Sequence, residues 1–321
     1  MKTSRLLALL LALVAIAASC GDDAAETAEA TTTTAADAAG DDGADAEGFP
    51  VTIESDGGTW TLESAPERIV SLSPTATELL FAIGAGDQVV AADAFSNYPP
   101  EAPATELSGF DPNVEAIIGY EPDLVVISND ANDLVAGLTE LDIPVLVSPA
   151  PVDLDQGYDE IAALGIATGR VDETAALVSE LRAEMEAALA DAPAVTARVY
   201  HELDETFFTA SSNSFIGAVY EAMGAENIAD EADVDGSGFP QLTEEYIVEA
   251  DPQVIVITDQ VSYTADDVAA RPGWDQISAV ENGNVVVVEA DIASRWGPRL
   301  PQFVTAVAEA FASVELSATG S

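Results

Sequence analysis

The 321-residue chain predicts an α/β protein of two Rossmann-like lobes joined by one long helix. Three observations carry that prediction. From Phe49 onward, short β-branched runs alternate with helical patterns, as buried and mostly parallel strands require. Near the middle, a segment rich in Ala, Glu and Leu keeps its apolar residues at helical spacing. The stretches on either side of that segment repeat each other at a fixed shift.

The N-terminus comes before the fold. Lys2 and Arg5 precede an uninterrupted apolar run from Leu6 to Ala18, and the small residues Ala17, Ala18 and Ser19 lead into Cys20, the only cysteine. A positive start, a short apolar run and small residues before a cut mark residues 1–19 as a secretory signal. Thirteen apolar residues are too few to span a bilayer. The position of Cys20 resembles the lipobox of bacterial lipoproteins, although Ala17 stands where that pattern usually has Leu. The expected location is extracytoplasmic, anchored to the cell membrane by a lipidated Cys20. From Gly21 to Gly48 every residue is Gly, Asp, Glu, Thr or Ala, which gives no material for a core, so residues 20–48 read as a disordered acidic tether. Its expected reach is about 30 Å.

The first lobe, 49–171, has strand candidates at Ile69–Ser73, Val89–Ala92, Leu124–Ser128 and Val145–Ser148. Within it, Asp111 is placed to cap a helix whose first residue is Pro112. The interlobe helix, 172–192, carries Leu177, Val178, Leu181, Met185 and Leu189 on one face, offers Arg182 and Glu186 as an i,i+4 pair, and stops at Ala192-Pro193. The second lobe, 193–316, has strand candidates at Arg198–Glu202, Phe207–Ala210, Val254–Thr258 and Val285–Glu289.

A shift of 130 residues superposes Glu115–Ile127 on Glu245–Ile257. It matches Glu115 with Glu245, Ile117 with Ile247, Pro122 with Pro252, Val126 with Val256 and Ile127 with Ile257. A second echo, at a shift of 140, matches Ala82, Gly84 and Ala85 with Ala222, Gly224 and Ala225. Two echoes in the same order indicate an internal duplication. Lobes related by a pseudo-two-fold axis place matched positions on one face, so Glu115 and Glu245 are expected to point the same way. Glu78 and Glu221, also at helical positions, read as solvated acids.

Charge and motif content exclude several functions. The chain has 9 Lys+Arg against 58 Asp+Glu, a net charge of −49, so it lacks the basic face that phosphate contacts need. Such a charge favours a soluble monomer. There is no Gly-x-Ser-x-Gly elbow, no Gly-x-x-x-x-Gly-Lys cradle and no cysteine beyond Cys20 for nucleophilic attack. His201 is the only histidine, and with Glu202 or Asp204 it falls short of the three or four convergent ligands a zinc site takes. No catalytic residue, metal or cofactor is expected.

The segments Ser71-Leu-Ser-Pro-Thr-Ala-Thr-Glu-Leu-Leu-Phe-Ala-Ile-Gly, Asn97-Tyr-Pro-Pro-Glu-Ala, Pro122-Asp-Leu-Val-Val-Ile, Gly224-Ala-Glu-Asn-Ile and Asp291–Arg299 together resemble the substrate-binding proteins of ABC importers for cobalamin, ferric siderophores and haem. They resemble the cobalamin binders most. The resemblance covers about residues 50–314. It implies a rigid interlobe helix, a ligand cleft between the lobes, and one surface glutamate per lobe, here Glu115 and Glu245, docking on arginines of the permease that an ATPase drives. Phe95, Tyr98, Phe110, Phe208, Phe239 and Trp296 fall in loops beyond predicted strands, where open α/β sheets hold ligands. By the resemblance, Phe95, Phe208 and Phe239 line the cleft, and Asp291 and Arg295 contact the ligand; Arg299 lies close by. Two tryptophans of the family's pocket are replaced near Gly109 and Ser128.

A corrinoid, large and mostly apolar with an amide edge, is the expected ligand. A ferric siderophore or haem is the alternative. A trianionic siderophore needs converging cations, for which Arg295 and Arg299 are the candidates, and haem needs a Tyr or His ligand, for which Tyr98 and His201 are the candidates. The expectation at the N-terminus is directly testable. Cys20→Ser should move the protein from the membrane pellet to the medium without unfolding it, and a mutant that still sediments with membranes would contradict lipidation.

Overall fold

A computed structural model of the chain describes residues 48–192 and 196–312. The expected signal, Cys20 and all of the expected tether except Gly48 lie outside these residues. Chain order begins with a hairpin that the sequence reading missed, β1 (Val51–Ser55) paired antiparallel with β2 (Gly58–Leu62). Its signal was present. Asp56-Gly57, a strong two-residue turn dipeptide, separates apolar residues that alternate, Val51 and Ile53 from Trp60 and Leu62.

The first lobe continues with β3 (Ile69–Ser71), α1 (Pro74–Ala82), β4 (Val89–Ala92), α2 (Val114–Ile118), β5 (Leu124–Ile127), α3 (Leu134–Thr139) and β6 (Val145–Val147). These strands form a parallel sheet in the order β4-β3-β5-β6. Then come α4 (Leu154–Thr168) and the long α5 (Val171–Asp191). Between them Gly169, at φ +71°, takes the left-handed conformation that lets the chain reverse.

The second lobe comprises β7 (Arg198–His201), α6 (Phe215–Ala222), β8 (Glu226–Asn227), α7 (Glu244–Ala250), β9 (Val254–Thr258), α8 (Ala265–Ala269), α9 (Ser278–Glu281), β10 (Val285–Val288), α10 (Ala290–Ala293) and α11 (Leu300–Ala312). Its parallel sheet runs β8-β7-β9-β10. In both sheets the first strand lies between the second and the third, with the fourth at the edge. The duplication seen at shifts of 130 and 140 is thus also a duplication of topology.

Both sheets are covered on both faces, which explains their near-continuous Val and Ile. Alternate residues of one strand enter different cores. Val125 and Ile127 join Ile117, Leu134 and Leu138 on one face of the first sheet. Leu124 and Val126 face the other way, into a core shared by both lobes. Ile255 and Ile257 likewise join Ile247, Val268 and Trp274, while Val254 and Val256 enter the shared core. Leu181 and Met185 of α5 are buried in that shared core, with Leu177, Val178 and Leu189 packed against it. The face read from helical spacing is therefore the buried one.

Three local expectations differ from the structure. Phe207–Ala210 makes only isolated bridges, Glu202 to Thr209 and Phe208 to Gln241, because Phe207 sits at φ +68° and stacks on Trp274 at 6.0 Å. The helix near residue 112 starts later, with Asn113 as the cap accepting from the Ala116 N–H at 3.0 Å, while Asp111 accepts from the Asn132 amide. Arg182 leaves Glu186 for Asp155 on α4, at 3.0 Å, and lies 3.9 Å over the Tyr158 ring. A neighbouring helix with both a charge and an aromatic face offers more than one exposed i,i+4 pair.

His201, expected at a strand, occupies β7 with its ring fully enclosed. Its Nδ1 meets the Tyr220 hydroxyl at 2.7 Å, and the Phe303 ring is 6.4 Å away. Burial lowers its pKa from 6.5 to about 4. Between those values the unfolded chain binds a proton that the fold excludes, so stability falls as pH drops from 6.5 to 4 and is unaffected by this group above 6.5. The expected slope is about 1.4 kcal/mol per pH unit. Denaturant melts at pH 6.5 and 4.5 should show His201→Gln losing this part of the pH dependence, even if the variant is less stable at both.

Candidate functional site

The candidate site is a cleft between the lobes at the carboxyl ends of the strands, where parallel sheets present their loops. A cavity of about 310 Å³ lies there. The first lobe contributes Ser73 and Pro74 after β3, Phe95 after β4, Ser128 after β5 and Pro149 after β6; the second contributes Phe215, Gln260, Asp291, Ser294, Arg295 and Trp296. On the second-lobe side the cleft continues into two more open depressions of about 470 and 410 Å³, both of which include Gln260.

The lobes meet there through a buried ion cluster. Glu78, on α1, is 2% exposed. Arg295 Nη1 donates to Glu78 Oε1 at 2.8 Å and to Asn97 Oδ1 at 2.8 Å, and Arg295 Nη2 donates to Asp291 at 2.6 Å and to the Phe95 carbonyl at 3.1 Å. Arg299 grips the same glutamate with both Nε, at 2.9 Å, and Nη2, at 2.6 Å. Tyr98 lies under that guanidinium at 4.3 Å, and the Asn97 amide donates to Asp291 at 2.8 Å. Glu78 is therefore an interlobe anchor and not the solvated acid that its helical position suggested.

A chain of buried hydroxyls supports the loop that carries Phe95 and Asn97. Thr77 Oγ1 lies 2.8 Å from Ser71 Oγ and 2.9 Å from Ser96 Oγ, and the Ser96 hydroxyl donates to Asp93 at 2.8 Å. Burial pushes the Asp93 carboxyl above its ordinary pKa, against the pull of its hydrogen bonds from Ser96 and Phe95. Phe95 and Phe110 then meet edge to face at 5.6 Å on the rim, 51% and 76% exposed. At the floor, Trp296 packs against Tyr158 and Phe215 at 5.6 and 6.3 Å and lies directly on Gly157, where a Cβ would overlap the indole. At Gly109 a Cβ would overlap the Leu72 carbonyl, so no aromatic fits at that position. Ser128 faces the cavity.

The cleft thus gathers Phe95, Phe110, Asp291, Arg295 and Trp296 from the sequence-predicted set. Tyr98 and Arg299 lie in the ion cluster beside it. Phe208 and Phe239 are not among the residues lining this cavity; Phe208 is 40% exposed and Phe239 packs against the shared core. Glu78, Asn97, Phe215 and Gln260 were missed. Away from the cleft, Glu115 and Glu245 are exposed at the second position of α2 and of α7, and Asn113 and Thr243 cap those helices in the same way.

The fold and this cleft define a two-lobed solute-binding protein. The family model described as periplasmic binding protein matches residues 69–292, and the chain belongs to that family, whose members are extracytoplasmic and non-enzymatic. It is 37% identical over 277 residues to a cobalamin-binding protein of Halobacterium salinarum, covering 82% of this chain and 74% of that one. It is 32% identical to an uncharacterized ABC transporter substrate-binding lipoprotein of Bacillus subtilis, covering 82% and 86%. The periplasmic heme-binding protein of Roseiflexus sp. RS-1 has a similar structure, with a TM-score of 0.68 and 25% identity over 77% of this chain and 98% of that one.

Removing one partner of a buried ion cluster leaves uncompensated charge. Glu78→Ala strands Arg299 and leaves Arg295 with Asp291 as its one close acid, and is expected to destabilise the protein by about 3–5 kcal/mol. The check is the urea midpoint, and a variant within about 1 kcal/mol of the parent, the ordinary value for exposed pairs, would remove Glu78 from this role.

Proposed function

We propose that the chain is the substrate-binding lipoprotein of an ABC importer, that its cleft takes cobalamin or a related corrinoid, and that Glu115 and Glu245 dock the loaded protein on the permease. The observation that carries the ligand class is the commitment of the cleft's cations. Arg295 is the one cation among the described residues lining the cavity, and four of its hydrogen bonds go to protein groups. Arg299 is bonded to Glu78. Glu78 and Asp291 balance these two charges, and Asp259 and Glu289 add acid beside them. A trianionic ferric siderophore, or the propionates of haem, would meet net repulsion.

The walls favour a neutral ligand with a broad apolar face. Phe95, Phe110, Phe215 and Trp296 supply apolar surface, while Ser128, Ser294 and Gln260 suit the amides at a corrin edge. A corrinoid is larger than the enclosed 310 Å³ and would extend into the adjoining open depressions. Of the two candidate axial ligands for haem, His201 is enclosed against Tyr220 and Tyr98 is not among the residues lining the cavity. The relative named as cobalamin-binding supports this ligand, and the relative named as a lipoprotein supports anchorage through Cys20. The fold shared with a heme-binding structure supports the second reading, a haem or ferric-siderophore binder.

Titration of the purified protein with cyanocobalamin, ferric siderophores and haemin separates these ligands. Tight corrinoid binding is expected, weakened about tenfold or more, about 1.4 kcal/mol, by the paired rim change Phe95→Ala and Phe110→Ala. No measurable corrinoid binding alongside tight binding of a ferric siderophore or haemin would overturn the proposal.

A further inference from the structure

Two arginines far from the cleft clamp matched pairs of carbonyls in the two lobes. Arg68 donates from Nε to the Tyr120 and Glu121 carbonyls at 3.2 and 2.9 Å and from Nη2 to the Tyr120 carbonyl at 2.6 Å. Arg198 donates from Nε to the Ala250 and Asp251 carbonyls at 2.9 and 3.0 Å and from Nη2 to the Asp251 carbonyl at 2.7 Å. The Nε donor and both of its acceptors move by 130 residues; Nη2 takes the first carbonyl of the pair in one lobe and the second in the other, where it also reaches the Asp251 carboxylate at 3.1 Å. The backbones beneath repeat too. The Asp123 N–H donates to the Arg68 carbonyl at 3.1 Å while the Asp123 carboxylate receives the Arg68 N–H at 2.9 Å; Gln253 does both for Arg198, at 2.8 and 3.2 Å.

The clamped carbonyls lie at or just after the ends of α2 and α7, the helices whose second residues are Glu115 and Glu245. Helices of five and seven residues do not hold a direction by themselves. Ile117 and Ile247 are fully buried beneath them, which fixes one point of each. The second point is the arginine clamp, attached where β3 and β7, each flanked by strands on both sides, begin. The clamped residues Glu121 and Asp251 sit at φ +50° and +47°, an uncommon region for a side-chain-bearing residue that persists where its surroundings hold it. Arginine suits the task because its planar fork reaches two carbonyls in fixed geometry, which an ammonium does not reproduce.

We propose that Arg68 and Arg198 are matched positioning residues for permease docking: each fixes its short helix to its sheet, and so the two set the orientation of Glu115 and Glu245 against one partner surface. This rests on the docking role given above to those two glutamates. The experiment measures the Kd of the purified full-length protein for its own importer, solubilised in detergent, together with the melting temperature and the Kd for cyanocobalamin. Arg68→Met and Arg198→Met should each weaken importer binding about fivefold and leave cyanocobalamin affinity unchanged. Arg68→Lys and Arg198→Lys, which keep the charge and disturb folding least, should weaken it similarly.

Arg68→Met added to Glu115→Ala should cause no further loss, because a positioning residue has nothing left to position. Additive losses, or cyanocobalamin affinity falling in step with importer affinity, would overturn the proposal in favour of a general structural role. Glu115→Arg with Glu245→Arg is the separate arm. If that pair binds the importer normally, the docking role itself is wrong. If it fails to bind while the arginine variants bind normally, the positioning role alone is wrong.

Discussion

The structure depends most on a single buried carboxylate held by two arginines across the lobe interface. Glu78 arrives on α1 of the first lobe; Arg295 and Arg299 arrive from the chain between β10 and α11 of the second. Removing three charged groups from water is expensive, and attraction offsets the cost only where geometry and further hydrogen bonds are nearly complete. Here they are. Both carboxylate oxygens are bonded, Arg299 is bidentate, and the remaining Arg295 donors reach Asp291, Asn97 and a backbone carbonyl. These bonds tie the two lobes in the placement seen here.

That placement propagates to the cleft. The partner groups of Arg295 include the Phe95 carbonyl and the Asn97 side chain, so the rim loop is fixed from the second lobe by the cluster and from below by the hydroxyl chain running from Ser71 to Asp93. Trp296, next to Arg295, is fixed by the close approach of Gly157 on α4. Glycine inside a helix costs roughly 0.5–1 kcal/mol relative to Ala, yet here no larger residue leaves room for the indole. One short segment, Asp291 to Arg299, thus carries the interlobe cluster, the cleft floor and part of its polar edge. The shared core beneath, through α4, α5 and α11, reinforces the same arrangement without directional bonds.

What was legible in the sequence followed from periodicity and repetition. Val89–Ala92 and Val254–Thr258 were found with their observed bounds because a strand buried on both faces reads as an unbroken apolar run. The buried face of α5 was legible from spacing alone. Phe207–Ala210 looked like a strand by composition, but the left-handed Phe207 and its stack on Trp274 are tertiary facts that no local pattern encodes. Glu78 was misread for a related reason. On a chain with 58 acids an acid at a helical position is ordinarily solvated, and its partners lie more than two hundred residues away. The matched arginines were within reach: Arg68 and Arg198 are themselves separated by 130 residues, and extending the repeat upstream would have found them.

The distribution of arginine ties these features together. Seven arginines follow Cys20, against 58 acids, and each is engaged within the protein. Arg68 and Arg198 hold carbonyls; Arg170 reaches Glu173, Arg182 reaches Asp155, Arg271 grips buried Glu202 with two bonds of 2.7 Å, and Arg295 and Arg299 share Glu78. Each positive charge is thus engaged with a protein group, and the large excess of acids gives a field of predominantly one sign around the described body. Such a field steers association toward cationic surfaces and slows the approach of anions, over a range of about 10 Å at 0.1 M salt. Both parts of the proposed function draw on this one distribution. In the proposed docking role, the exposed Glu115 and Glu245 call for positive charge on the partner surface, and in the proposed corrinoid role the cleft selects its solute by shape, apolar contact and neutral hydrogen bonds, because the arginines beside it are already bonded to protein groups.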